Sequence, residues 1–189
     1  IVQVPLPADL GPGEVREIAA DADPRLALVD REGARGADAL DVPCHHLDDE
    51  VLLGSAPTEP SAAWPRARPM AYTSGTTGRR KGVHAGVHDE AWGREVVADE
   101  HAAFDQRHGE RHLVVSPLYH SGPFRFGFVT ALTGGQVAVL PHFDPRSWLA
   151  AIRTLRPTSM FCVPTHLHRL LALEDLRPDD LASLALIAH

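Results

Sequence analysis

Lysine is almost missing from this chain. Of its 18 lysines and arginines only Lys81 is a lysine, and asparagine is absent altogether, which points to a GC-rich genome and carries no mechanistic meaning. Cys44 and Cys162 are the only cysteines, too few and too distant for a disulfide framework, a usage that fits a reducing cytoplasm. No apolar run approaches the roughly 18 residues of a membrane span, and no signal-peptide pattern opens the chain. Aromatic residues make up 6% and the formal net charge is −7, a balance that opposes nucleic acid or an anionic membrane surface as the main partner. The first residue is Ile1, so the expectation is a piece of a longer chain.

At 189 residues and 44% hydrophobic content, the chain has enough apolar material for a core. Short apolar strands alternate with helical spacings, which predicts α/β architecture with a parallel sheet and flanking helices. The strands are expected at 26–29, 113–115, 137–140, 160–163 and 184–188, with another at 68–72. Asp144 as N-cap and Pro145 at the first helical position predict a helix through Trp148, Ile152 and Leu155, ended by Pro157. Residues 54–68, with prolines at 57, 60 and 65, have linker composition, so the chain is divided at 67/68. There is no internal repeat.

The lone lysine closes the run Tyr72-Thr73-Ser74-Gly75-Thr76-Thr77-Gly78-Arg79-Arg80-Lys81-Gly82-Val83. Glycines at 75, 78 and 82 let a backbone take positive φ and converge its N–H groups on an anion. Thr73, Ser74, Thr76 and Thr77 bring hydroxyls that suit phosphate oxygens or a phosphate-bound magnesium, and Lys81 brings the charge. The Walker pattern is excluded because Lys81 lies between Arg80 and Gly82, and the G-x-G-x-x-G fingerprint is absent. Helical spacing follows, to about His101.

This run resembles, almost residue for residue, the Y-T-S-G-T-T-G-x-P-K-G-V signature of adenylate-forming enzymes: acyl-CoA synthetases, luciferases and peptide-synthetase adenylation domains. Arg80 stands where that family has proline. Further along, Pro117-Leu118-Tyr119-His120 resembles the family's segment lining the acyl pocket. Ala131-Leu132-Thr133-Gly134-Gly135, Phe143-Asp144-Pro145 and Val163-Pro164-Thr165 are similar to its later strand and helix openings. Ile1 to Pro7 looks like the strand that ends its first nucleotide-fold unit. The resemblance implies a partial N-terminal domain of an acyl-CoA synthetase-like fold: residues 1–67 closing a first subdomain, 68–189 an incomplete phosphate-loop subdomain, and the C-terminal lid domain lying elsewhere.

The same resemblance implies ATP-dependent activation of a carboxylic acid, fatty acids foremost, to an acyl-adenylate, then transfer to coenzyme A. Thr73, Ser74, Gly75, Thr76, Thr77, Gly78 and Lys81 would cradle the phosphates, with Thr76 touching magnesium. The implied cofactors are thus ATP, Mg2+ and coenzyme A. The slice by itself is expected to be inactive, and either to pair with a second copy through an open sheet edge or helix face or to be a proteolytic core whose missing parts are mobile. A peptide-synthetase-type domain, a non-catalytic scaffold and a KH-type backbone clamp using Gly75 and Gly78 remain as alternatives, the last opposed by the acidic balance.

Histidines require weighing too. Cys44-His45-His46 with Asp48, Asp49 and Glu50 holds suitable metal ligands without zinc-like spacing, and reads as a solvated acidic loop. His84 and His88 lack the glutamate of a zinc-protease helix. His166 and His168 read as surface or cap residues. His120, beside Ser121-Gly122, reads either as a core histidine bonded to backbone or, by resemblance, as a catalytic pocket residue near the acyl group or phosphates. Phe124, four residues on, reads either as a pocket gate or as core.

Overall fold

The computed structural model describes residues 2–30, 33–47, 64–73 and 80–189. The chain divides into two compact units, Ile1–Gly93 and Arg94–His189. The proline-bearing stretch expected to form a boundary falls mostly on residues outside the described ones.

In the first unit, helix α1 (Pro12–Ala22) follows Gly11, and Glu14 reaches back to accept from the Gly11 N–H at 3.1 Å. Leu10, Val15 and Ile18 form its buried apolar cluster, joined by Val4, Leu6 and the ring of Tyr72. Strands β1 (Ala27–Val29) and β2 (Cys44–His46) pair in parallel, with the short helix α2 (Ala34–Ala37) between them. Strands β3 (Ala71–Thr73) and β4 (Lys81–Val83) pair antiparallel, with Thr73 opposite Lys81 and Tyr72 opposite Gly82. Two expectations fail here. Residues 2–7 form no strand, because Pro5 and Pro7 withdraw two ladder donors; the Gln3 carbonyl accepts from Met70 N at 2.8 Å. Lys81 lies on a strand that the sequence pattern, too short at three residues to show a period of two, did not announce. Helix α3 (Glu90–Ala103), whose residues from Arg94 onward belong to the second unit, supplies the expected helical spacing.

The second unit is built on a parallel sheet. Its strands β5 (Arg111–Val114), β6 (Gln136–Val139), β7 (Ser159–Phe161) and β8 (Leu186–Ala188) lie in the order β6-β5-β7-β8. Helices α4 (Ser121–Leu132), α5 (Pro145–Leu155) and α6 (Pro164–Leu171), and a 3-10 turn at Pro178–Leu181, make the crossovers that parallel pairing requires. Leu113, Val115, Trp148, Leu149, Ile152, Met160, Cys162 and Leu170 form the core. Full burial of each large apolar side chain there is worth roughly 1.5–3 kcal/mol. Asp144 caps α5 as its sequence predicts, accepting from Ser147 N at 2.7 Å, and Arg156 in the left-handed region ends that helix. The strands sit one or two residues from where apolar runs alone place them. Arg111, His112 and Ser159 join the ladder despite polar side chains, and Val163 leaves it to open α6.

Candidate functional site

On the β3–β4 hairpin, Thr73 and Lys81 are cross-strand partners and both side chains are exposed. A hydroxyl and an ammonium thus stand side by side at the loop end of the hairpin, a donor pair suited to phosphate oxygens. Ser74, Gly75, Thr76, Thr77 and Gly78 lie outside the described residues.

Gly82 has a different task from the one its sequence context suggests. Its φ is not positive; a Cβ there would lie 2.1 Å from Met70 Cε and 2.9 Å from Tyr72 Cζ. Its bare backbone lets the Tyr72 ring cross the strand. The Tyr72 hydroxyl then donates to Asp21 Oδ2 at 2.6 Å, and burial, followed by that carboxylate, pushes the phenol well above its usual range. Immediately before the neighbouring strand, Arg80 donates to Glu14 Oε1 from Nη2 at 2.8 Å and from Nε at 3.2 Å. Arg80, foremost, and the Gly11 N–H hold the Glu14 carboxyl below its ordinary value.

In the second unit, His120 precedes the first turn of α4 with extended backbone, and its side chain is exposed. The core reading of His120 therefore fails. Its ring tilts against Tyr119, centroids 4.5 Å apart, and its carbonyl accepts from Phe124 N at 3.2 Å. Phe124 is half-buried and stacks on Phe128 at 5.5 Å. Gly122 fits because a Cβ there would sit 2.4 Å from the Phe161 ring of β7, so α4 begins tight against the sheet. His120 and Phe124 share one helix start, while Thr73 and Lys81 belong to the other unit.

The sequence reading missed a cluster at the carboxyl ends of the parallel strands. His166 is half-buried, not a surface residue: its ring stacks on Phe143 at 3.9 Å, and its Nδ1 lies 3.4 Å from Ser116 Oγ. Burial, then Arg169, lowers its pKa, which favours neutral imidazole. The Val163-Pro164-Thr165 helix opening was the available signal, since it sets His166 in the first turn of α6. A second buried set, Glu110, His112 and Ser159, lies toward the start of β5 and β7. His112 Nδ1 is 2.8 Å from Ser159 Oγ, and Glu110 accepts from Thr158 Oγ1 at 2.7 Å and Arg107 N at 2.8 Å. Among the described residues, no three His, Cys, Asp or Glu side chains gather as a metal site, and no helix is long and apolar enough to cross a membrane.

Compared with known proteins, residues 1–188 match the family described as AMP-binding enzyme. A medium/long-chain-fatty-acid–CoA ligase, FadD8 of Mycobacterium tuberculosis, is 34% identical over 120 residues, covering 64% of this chain and 20% of that protein. A feruloyl-CoA synthase of Amycolatopsis is 32% identical over 193 residues, 97% of this chain and 38% of that protein. Among solved structures, the amide bond synthetase McbA of Marinactinospora thermotolerans superposes with a TM-score of 0.78 at 28% identity, over 98% of this chain and 39% of that one. A putative long-chain-fatty-acid CoA ligase of Rhodopseudomonas palustris gives 0.75 at 17% identity, over 98% of this chain and 49% of that one, a likeness of fold alone. The chain spans between a fifth and two fifths of the length of these curated relatives.

Proposed function

We propose, from the premise that this chain belongs to the AMP-binding enzyme family, that it is part of an acid–thiol ligase forming an acyl-adenylate from ATP and a carboxylic acid. A carboxylate oxygen attacks the α-phosphorus, the bond to the bridging oxygen breaks, and pyrophosphate leaves with the electron pair. The acyl group then passes to the thiol of coenzyme A, which displaces AMP. What supports this reading on the chain itself is the exposed Lys81 ammonium directly across the hairpin from the exposed Thr73 hydroxyl. These two donors suit the β- and γ-phosphates, whose charge grows on the leaving side as the reaction proceeds. Ser74, Gly75, Thr76, Thr77 and Gly78 would complete the cradle, with Thr76 on the magnesium that accompanies the phosphates. His120 and Phe124 would face the acid at the start of α4. Fatty acids are the first substrates to try, and ferulate the second, because the relatives named above divide between them.

A second reading keeps the adenylate and replaces the thiol with an amine. The likeness to an amide bond synthetase favours it. Presenting the adenylate with coenzyme A or with a primary amine separates the two.

Loss of Lys81 tests the shared first step. In the full-length protein, Lys81→Ala is expected to lower acid-dependent ATP–pyrophosphate exchange at least tenfold, about 1.4 kcal/mol of transition-state stabilisation, while leaving the fold intact. Exchange at the parental rate would remove Lys81 from the phosphate site.

A further inference from the structure

The β3–β4 hairpin is tied to α1 at two places, once from β3 and once from the residue that precedes β4. Tyr72 on β3 donates to Asp21 in the last turn of the helix, and Arg80, immediately before β4, donates twice to Glu14 in the first turn. Glu14 and Asp21 are seven residues apart, two helical turns or roughly 10 Å along the axis. Glu14 is itself fixed, since its other oxygen accepts from Gly11 N at 3.1 Å. The hairpin is therefore held at two separated points, which removes a rotation that one point would leave free.

This arrangement does little for stability. The Arg80 and Glu14 side chains keep 29% and 48% of their exposure, and pairs this open contribute little in water. Its consequence is geometric. Arg80 adjoins Lys81, and two guanidinium nitrogens on one carboxylate oxygen restrain the backbone that carries the lysine. A proline at this position would limit the same backbone through its ring; here a tertiary contact does so.

We propose that Arg80 is a positioning residue: its ion pair with Glu14, acting with the Tyr72–Asp21 hydrogen bond, clamps the hairpin on α1 and sets where Lys81 presents its ammonium. The phosphate part of this inference rests on the function proposed above for Lys81.

The experiment uses the full-length protein and pyrophosphate as the probe. Arg80→Ala and Glu14→Ala are each expected to raise the KM for pyrophosphate in acid-dependent exchange about fivefold, with a smaller change in kcat. The double variant should be no worse than the poorer single one, and the exchanged pair Arg80→Glu with Glu14→Arg should recover most of the loss. Arg80→Pro should fall nearer the parent than Arg80→Ala does. The sign for Glu14→Ala is decisive. If Arg80 instead met phosphate directly, releasing it from Glu14 would lower the KM, and either that result or no change overturns the proposal. Hydrogen exchange of the backbone over residues 70–83 supplies a readout independent of turnover: both single variants should exchange faster there with little change in Tm, and unchanged protection also overturns it. A parent without acid-dependent exchange would sink the phosphate reading of Lys81, while the clamp would still stand or fall on the hydrogen-exchange result.

Discussion

Phe124 stands at the start of α4, stacked on Phe128 and only half-buried, one turn after an exposed His120. A side chain committed wholly to the core would be sealed like Trp148 or Leu113, which have 0% of their surface exposed. The remaining exposure is what a ligand could cover. Phe124→Ala in the full-length protein is therefore expected to change the ranking among acids of different length or ring content more than it changes the KM for ATP. Initial rates over a series of acids measure this; an unchanged ranking with lowered stability would assign Phe124 to packing. At this scale the sequence was informative about chemistry and poor about partners. Lys81 and Thr73 stood out because their residue types sit in a dense motif, and the hairpin pairs them. Glu14 and Asp21 did not, since they lie 66 and 51 positions from Arg80 and Tyr72 and nothing local marks them.

Among the elements, α5 was the most legible because three local signals agreed: an Asp cap, a proline at the first position and apolar residues at helical spacing. The opening segment was the least legible, because the resemblance implied a strand there while alternate prolines denied pairing. The limits of short polar-bearing strands such as Arg111–Val114, expected at 113–115, were missed for a related reason: neighbouring strands fix them through pairing, which hydrophobicity does not record. Trp148 shows what α5 contributes. It is fully buried against the sheet, yet its indole Nε1 meets no hydrogen-bond partner among the described residues. Trp148→Ala is expected to cost about 3–5 kcal/mol through the cavity it leaves. Trp148→Phe should cost about 1 kcal/mol, because it keeps most of the ring volume and removes an unsatisfied donor. Urea denaturation of both variants checks the difference, and equal losses would mean that the indole nitrogen does bond in solution.

Across the whole molecule, the perturbed acids and the buried histidine act in the same direction with pH. Hydrogen bonds hold the carboxyls of Glu14, Asp144 and Asp180 low, chiefly those from Arg80, Ser147 N and Arg153 respectively. For Glu110, burial pulls upward, but Arg107 N–H and the Thr158 and Ser159 hydroxyls prevail and the net shift is down. Each of these groups binds protons more weakly folded than unfolded, so its stabilisation is present above the ordinary carboxylate pKa and is lost as pH falls through the folded value. His112 follows the same sign at a higher pH. Burial is the main cause, only partly offset by Glu110, and lowers its pKa from 6.5 to about 4, so unfolding takes up a proton throughout that interval. The associated loss on acidification is about 3 kcal/mol. Stability should hence be level above roughly pH 6.5 and decline from there toward pH 4, before the carboxylates contribute. Thermal unfolding between pH 8 and 4 measures the onset, with His112→Asn as the comparison, since its amide can still reach Ser159 and does not titrate. The variant should decline less steeply over this interval, the remaining loss coming from His166, whose pKa burial also lowers. An undiminished decline from pH 6.5 would assign the transition to another of the twelve histidines.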